Sequence, residues 1–343
     1  MPEVRSFPRT SDGVRRLGQA VDVLYIRVDA NHLIRAPLVL ELLDHAEVPV
    51  VWEVNAPANE SLAFSWLGGR EAGTTIPARW LDRLRRTLHA ARQKPGIARE
   101  EALRRRLAKK VDAAVCVSES VGRYTRSALD IGMVKIVPNA SDPVANHPDR
   151  DPVALPERFR GRLKVLFAGS PIYPWQGLDQ LLNAAEGSGE AFVFLLLVNQ
   201  PLQRQVPDNV MVLEGVSYAE VGRYICTADV CLALQPDFWW SPWGFHGSPM
   251  KLFDYMACGK PVVTTGVGQL GDLVRRHENG LICEPTGIDL REKLLYLKHH
   301  PEQAVQMGAN SRQAVVDYYN WERAADETLD VFEAVLERSR LSV

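Results

Sequence analysis

The second half of the chain alternates regularly between short apolar runs and helical patterns. Because neighbouring parallel strands need a crossover connection, usually a helix, this alternation predicts a parallel sheet covered by helices. Six strands with intervening helices would make a complete Rossmann-like domain. The six apolar runs are residues 163–169, 192–199, 209–215, 230–234, 261–265 and 280–283.

A smaller set of strands is predicted in the first half. Residues 22–28 and 48–55 are strand-like and flank a helical pattern at 36–45, which indicates a parallel βαβ unit. Further strands are predicted at 113–118 and 135–139. The first domain is therefore also predicted to have an α/β fold.

The domain boundary is predicted in residues 143–160, which hold four prolines among scattered charges. We expect a first domain over 1–150 and a second over 151–320. A final amphipathic helix over 321–343 has Asn320 in position to cap it.

Composition limits the class of protein. A chain of 343 residues with 46% apolar and 24% charged residues is long enough for two soluble domains. The longest apolar run, 191–198, is far shorter than a membrane span, and the amino-terminal residues lack a signal-peptide pattern. Five cysteines without CxxC spacing favour buried thiols in a reducing cytoplasm and make a zinc site improbable. A cytoplasmic protein without a bound metal is expected.

The net charge of −2 is unevenly distributed, because residues 79–110 hold twelve Lys or Arg against three acidic residues. Such a segment could lie on an anionic membrane surface or hold a lipid-phosphate acceptor, or it could be an ordinary solvated helical face. A nucleic-acid partner is not expected, since the segment carries one tryptophan and no recognisable recognition fold.

Residues 246–266 carry the most informative pattern. Ser248 before Pro249 predicts a helix start with the serine as cap, and Met250, together with the apolar residues that follow, is expected to face inward. A helix N-terminus that opens from a loop suits a phosphate group. Asp254 follows about one and a half turns later, where its carboxylate could accept hydrogen bonds from sugar hydroxyls.

The run Ser-Pro-Met-Lys-Leu-Phe-Asp-Tyr-Met-Ala-Cys-Gly-Lys-Pro-Val-Val from Ser248 onward resembles the nucleotide-sugar site of glycosyltransferase family 4. The resemblance implies a retaining enzyme of the GT-B architecture, with two Rossmann-like domains facing across a cleft. It also implies a carboxyl-terminal helix that crosses back to the first domain. The implied donor is a UDP- or GDP-linked sugar, the implied acceptor is a glycan or a lipid-linked molecule, and neither a metal nor another cofactor is required.

The family usually carries two glutamates separated by seven residues, and here these positions are His246 and Asp254. By the resemblance, Asp254 holds the ribose and His246 stands where a glutamate normally faces the donor sugar. The residues between them, Gly247, Ser248, Pro249, Met250 and Lys251, would hold the diphosphate and the sugar.

A second predicted contact region follows the strand 163–169. Gly169 and Ser170 end that strand, and Trp175 and Gln176 precede a helix whose N-terminus could meet a phosphate. The resembling family often has an arginine near Ser170 and a lysine near Gln176, and both cations are missing here. Val216 lies in a Gly-Val turn similar to the one at which the family contacts the nucleotide base.

Two further sets of residues are weaker candidates. Glu53 and Asn55 lie at a strand end of the first domain and could contact the acceptor. The five aromatic residues within 238–245 could stack on a sugar ring, or could serve packing between the domains. The first domain also resembles a shortened version of the family's, because its first strand begins only near residue 22.

The missing cation pair, His246 and the short first domain leave an alternative to an enzyme. The chain could be a catalytically weak or inactive nucleotide-sugar-binding protein derived from the GT-B fold. A nucleotide-sugar epimerase of the same architecture has no support beyond analogy of fold.

Overall fold

A computed structural model describes residues 16–17, 20–28, 37–63 and 76–341. Two parallel sheets, each covered by helices, form two α/β domains. The predicted start of the first helix at residue 36 and the last two residues, 342–343, lie outside the described ranges.

The first domain contains, within the described residues, one four-stranded parallel sheet in the order β1-β2-β3-β4. Trp52 is fully buried in its centre, and the core on this face includes Leu107 and Tyr124 from the covering helices. The strands are β1 (Leu24–Arg27), β2 (Val50–Val54), β3 (Ala113–Cys116) and β4 (Val134–Ile136).

The second domain has a six-stranded parallel sheet in the order β10-β9-β8-β5-β6-β7, so all six predicted strands are present. The strand β6 is buried along its whole length, which explains its unbroken apolar sequence. The strands are β5 (Leu163–Gly169), β6 (Phe192–Val198), β7 (Val210–Glu214), β8 (Val230–Ala233), β9 (Val262–Thr265) and β10 (Gly280–Cys283).

The helices lie between the strands as the alternation predicts. In the described residues they are α1 (Pro37–Asp44), α2 (Ile76–Ala108), α3 (Glu119–Ala128), α4 (Leu178–Glu186), α5 (Tyr218–Thr227), α6 (Met250–Ala257), α7 (Gly268–His277), α8 (Gly287–His299), α9 (Pro301–Asp317) and α10 (Trp321–Leu341). Short 3-10 turns occur at Ala58–Ser61, Glu157–Phe159 and Pro174–Gln176. Not one of the described helices combines the length and the apolar composition needed to cross a bilayer.

The last helix crosses back to the first domain. Val331 and Val335 of α10 pack against a cluster that includes Val51 and Val115 of the first sheet. The side chain of Asn320 accepts a hydrogen bond from the Arg323 N–H at 2.8 Å, so the predicted cap is present. This crossing confirms the expected GT-B arrangement. The exact domain boundaries and the shortening of the first domain stay predictions.

The basic segment forms one continuous helix, α2, of 33 residues. Pro95 lies inside it, where the missing N–H removes one backbone hydrogen bond. Its carboxyl-terminal half packs on the 3-10 turn Ala58–Ser61, and the Arg104 guanidinium donates to the Ala56 carbonyl oxygen at 2.6 Å. Glu100 of the same helix forms a buried ion pair with Arg104, 2.8 Å apart, and so holds the guanidinium for this contact.

Candidate functional site

The strand order of the second sheet reverses between β5 and β8. In an open parallel sheet, loops that leave the carboxyl ends of two such strands diverge to opposite faces and leave a crevice where ligands bind. The loop after β5 begins at Ser170, and the loop after β8 leads to α6. Most of the predicted donor-site residues are therefore collected at one end of the sheet.

Lys251 and Gln176 connect these two loops. The Lys251 ammonium donates a hydrogen bond to Gln176 Oε1 at 2.5 Å and lies 4.1 Å from the centre of the Phe167 ring. The lysine side chain keeps partial contact with solvent, but its ammonium is enclosed. Burial lowers the pKa of Lys251 to about 7. An enclosed cation whose hydrogen-bond partner is a neutral amide is well suited to receive an anion.

Gly169 allows this contact because any side chain at that position would meet the Gln176 amide, 2.7 Å from an added Cβ atom. The next residue, Ser170, has a buried hydroxyl that lacks a hydrogen-bond partner within the described part of the chain. Buried polar atoms are nearly always paired, so this orphan hydroxyl, one residue after the glycine that meets the Gln176 amide, indicates a place where a ligand supplies the partner.

The helix α6 starts at Met250, with Pro249 as its capping residue, and its first N–H groups have no partner within the helix. The prediction that Ser248 caps this helix is wrong. Its hydroxyl instead accepts a hydrogen bond from the Asn139 N–H at 3.0 Å, and its carbonyl accepts from the Asn139 amide at 2.6 Å. Ser248 and Gly247 are thereby held against the first domain, at the gap between the two sheets.

The inward orientation expected for Met250 is also wrong, because its side chain is 47% exposed. Met250 lies in the first turn of the helix, which projects away from the sheet. Leu252, Phe253 and Met256 face the core as predicted.

Asp254 is buried and already engaged. Its Oδ1 atom accepts hydrogen bonds from the Ser141 hydroxyl at 2.6 Å and from the Asn146 amide at 3.0 Å, and the Tyr218 hydroxyl lies 3.3 Å from both carboxylate oxygens. Burial raises the pKa of Asp254, while these hydrogen bonds act in the opposite direction. The Ser141 and Asn146 donors both bind Oδ1, so Oδ2, which has the 3.3 Å contact with Tyr218, is the oxygen best placed for an incoming hydroxyl.

His246 is 3% exposed and contacts the first domain. Its Nε2 atom lies 3.4 Å from Glu60 Oε1, and its carbonyl accepts a hydrogen bond from the Ser118 hydroxyl at 2.6 Å. The other ring nitrogen, Nδ1, is buried without a partner in the ranges described. The histidine therefore lies at the junction of the two domains, with one polar atom unsatisfied.

Comparisons with known proteins agree with this geometry. A protein-family profile described as "Glycosyl transferase-like" matches residues 161–330. An uncharacterized glycosyltransferase of Methanocaldococcus jannaschii is 30% identical over 170 residues, which cover 49% of this chain and 47% of that protein. The MMP α-(1→4)-mannosyltransferase of Mycolicibacterium hassiacum is 26% identical over 196 residues, 53% of this chain and 46% of that protein.

Residues 161–330 therefore form a glycosyl transferase-like domain. The fold comparison is consistent: the crystal structure of Anabaena HepE in complex with UDP-glucose matches with a TM-score of 0.63 and 12% identity, over 96% of this chain and 82% of that one. The matched segments span less than half the length of the two relatives named above.

The aromatic loop before α6 serves mainly packing. Phe238 stacks on Trp240 with ring centres 4.7 Å apart, and Trp243 meets Tyr124 of the first domain edge-on at 5.6 Å. The side chain of Trp239 is 66% exposed. Of the two interpretations offered by the sequence, contact between the domains describes most of this loop.

Two other predicted regions make contacts of their own. Val216 and Trp175 are half-buried against the core of the second domain, on the loops that follow β7 and β5. Glu53 and Asn55 contact each other at 3.0 Å, and Glu53 also accepts a hydrogen bond from Tyr25 at 2.9 Å. In the described residues, no hydrogen bond joins these two side chains to residues 246–251.

Several residues of the candidate site were not found from the sequence. Ser141, Asn146 and Tyr218 all hydrogen-bond to Asp254, and Asn139 holds the turn before α6. The Pro-Asn turn at residues 138–139 is the sequence signal that could have pointed to Asn139. The others are remote from Asp254 in sequence, so only the tertiary fold shows their contact.

Among the described residues, no three His, Cys, Asp or Glu side chains are grouped as metal ligands. All five cysteines are free thiols, and Cys226 alone of them is not buried. The expectation of a metal-independent site stays a prediction.

Proposed function

We propose that this protein is a glycosyltransferase that transfers a sugar from a UDP- or GDP-linked donor to a glycan or lipid-linked acceptor with retention. The observation that carries the proposal is the enclosed Lys251 ammonium, which contacts Gln176 of the loop after β5 at the switch point of the second sheet. The same loop carries the unpartnered Ser170 hydroxyl. The ammonium, the hydroxyl and the first N–H groups of α6 form a cradle for a diphosphate.

The nucleoside end of the donor is assigned to the Asp254 side of α6. The exposed Tyr218 and the Gly-Val turn at Val216 lie on the loop and helix that follow β7, next to the buried carboxylate. A carboxylate with one lightly used oxygen can accept hydrogen bonds from the two ribose hydroxyls. The solved complex of Anabaena HepE with UDP-glucose, which shares the fold, supports a nucleotide sugar as the donor.

In the proposed reaction the bond between the sugar's anomeric carbon and the diphosphate oxygen breaks as the acceptor hydroxyl forms a bond on the same face. The proton of the acceptor passes to a phosphate oxygen of the leaving group. Protonated Lys251 stabilises the charge that develops on the diphosphate, and the chain's main contribution is electrostatic and positional.

A binding protein without turnover is the second candidate. It is favoured by Gln176, because in this structure a neutral amide contacts Lys251 where the resembling family often has a further cation. His246 also favours it. This residue stands where the resembling family has a glutamate that faces the sugar, and here its side chain contacts Glu60.

Turnover separates the two candidates. Purified protein is incubated with a panel of UDP- and GDP-sugars, and release of UDP or GDP is measured with wild type and with Lys251→Met. Release that depends on Lys251 supports the enzyme. Binding of the nucleotides without release from any donor, with or without glycan acceptors, supports the binding protein.

A further inference from the structure

The helix α2 has two opposite faces. Ala90, Glu100 and Arg104 are buried, and together with the half-buried Gln93 and Ile97 they form the stripe that packs on the first domain. Their spacing of three and four residues keeps them on one side of the helix. The opposite side is free of the domain along the described part of the helix from residue 84 onward.

The free side carries an apolar stripe. Leu84 is 41% exposed and Leu88 is 52% exposed, large fractions for leucine side chains on a folded domain. Exposed residues with small or cyclic side chains continue the same stripe at alternating spacings of three and four. They are Ala91, Pro95, Ala98 and Ala102.

Cations line this stripe. Arg85, Arg92 and Arg99 repeat every seven residues along one shoulder, and all three are exposed. Lys94 and Arg105 lie on the other shoulder. From residue 84 to the end of the helix the acidic residues are Glu100, which is buried, and Glu101, which pairs with Arg105 and accepts a hydrogen bond from Tyr124. Glu101 offsets the charge of Arg105, so the positive charge of the free side comes mainly from Arg85, Arg92, Arg99 and Lys94. The outward face is therefore apolar along its centre and positively charged at its edges.

We infer that this face of α2 docks on an anionic lipid bilayer, with Leu84 and Leu88 inserted at the headgroup boundary. A helix with an apolar stripe and flanking arginines is suited to lie in the plane of such an interface. Each basic residue close to an anionic surface strengthens attachment by about fivefold. A second copy of the chain fits less well, because two such faces would bring arginines together without carboxylates between them. Nucleic acid offers no apolar surface to cover the leucines.

The position of α2 relates docking to the cleft. The helix packs on the turn Ala58–Ser61, whose Asn59 and Glu60 contact Ser241 and His246 of the second domain. Docking through the free face of α2 would therefore hold the first domain at the membrane, with the helix between the bilayer and this turn. The membrane contact itself does not depend on the proposed function.

The test is co-sedimentation with vesicles of phosphatidylcholine alone and of phosphatidylcholine mixed with phosphatidylglycerol. Wild type is compared with Leu84→Glu/Leu88→Glu and with Arg85→Glu/Arg92→Glu/Arg99→Glu. Matched controls place the same changes on exposed residues elsewhere: Ile288→Glu/Val305→Glu for the leucines and Lys135→Glu/Arg160→Glu/Arg340→Glu for the arginines.

Wild type and both controls should bind the anionic vesicles and not the neutral ones. The arginine variant should lose at least ~100-fold in partitioning, and the leucine variant at least ~10-fold. Equal binding by all five proteins would overturn the proposal. So would a concentration-dependent dimer of wild type that the leucine variant lacks, or tighter binding to RNA than to vesicles. Circular dichroism and nucleotide titration of each variant show that it is folded, and they report on the donor site separately.

Discussion

The Lys251 ammonium and the Gln176 side-chain oxygen lie 2.5 Å apart across the switch point of the second sheet. Lys251 comes from the helix after β8 and Gln176 from the loop after β5, so the contact exists only in the folded domain. It places a cation with a lowered pKa at the position where the leaving diphosphate is proposed to bind.

The affinity for a nucleoside diphosphate should depend on pH through this lysine. A bound diphosphate favours the ammonium form, so the pKa of Lys251 should rise on binding from about 7 in the free protein. Affinity should be constant below pH 7 and should fall by up to about tenfold per pH unit above it. Calorimetric titrations with UDP at pH 6 to 9 in two buffers of different ionisation enthalpy would measure the accompanying proton uptake. A pH-independent affinity, with no proton uptake, would contradict the assignment of Lys251.

The substitution Lys251→Met should stabilise the folded protein. The pKa of Lys251 falls from 10.5 to about 7 on folding, so the unfolded chain binds more protons between these values. The buried ammonium therefore lowers the free energy of unfolding by its full amount below pH 7, and this destabilisation disappears as the pH rises to 10.5. At pH 7, Lys251→Met should gain roughly 2 kcal/mol, less than the full shift implies because part of the side chain meets water. Urea denaturation at pH 7 and pH 10, with Lys298→Met as control, would measure this; a gain that does not shrink at high pH would contradict it.

The substitution Asp254→Ala should have two effects. Loss of the carboxylate leaves Ser141 and Asn146 without their acceptor, so the protein should lose about 1–3 kcal/mol of stability. UDP or GDP binding should weaken more than tenfold, about 1.4 kcal/mol. Ser141→Ala serves as the matched control, because it removes one donor from the same hydrogen-bond cluster and keeps the carboxylate. If Ser141→Ala weakens nucleotide binding as much as Asp254→Ala does, the carboxylate has only a structural role.

His246→Glu should destabilise the contact between the domains. The new carboxylate would be buried beside Glu60, and an uncompensated buried charge costs about 3 kcal/mol. Adding Glu60→Gln should recover part of this loss, whereas Glu60→Gln alone should cost under ~1 kcal/mol because Glu60 is half exposed. Thermal denaturation of His246→Glu, Glu60→Gln and the double variant would measure this. Equal melting temperatures for His246→Glu and the double variant would exclude an interaction between the two positions.

The sequence predicted the architecture well because parallel α/β sheets leave strong local signals. Unbroken apolar runs such as 192–199 are buried on both faces, and helical patterns between them leave few alternative folds. The resemblance of residues 248–263 then predicted a donor site, and Lys251 and Gln176, two of its predicted residues, meet in the fold.

The local details of that site were harder to predict. Ser248 before Pro249 has the pattern of a helix cap, but its hydroxyl contacts Asn139, which is 109 positions away. Met250 was expected to face inward because apolar residues dominate the helix, yet the first turn projects beyond the sheet. In both cases the placement of the turn in the tertiary fold decides the outcome, and a local pattern contains no information about it.

The account depends most directly on a nucleoside diphosphate binding at Lys251, and calorimetric titration with UDP and with GDP tests this. Wild type should release heat with at least one of the two nucleotides at one site per chain, and Lys251→Met should reduce the affinity at least tenfold while Lys298→Met leaves it unchanged. No heat from either nucleotide, or binding that is unaffected by Lys251→Met, would contradict the proposed site.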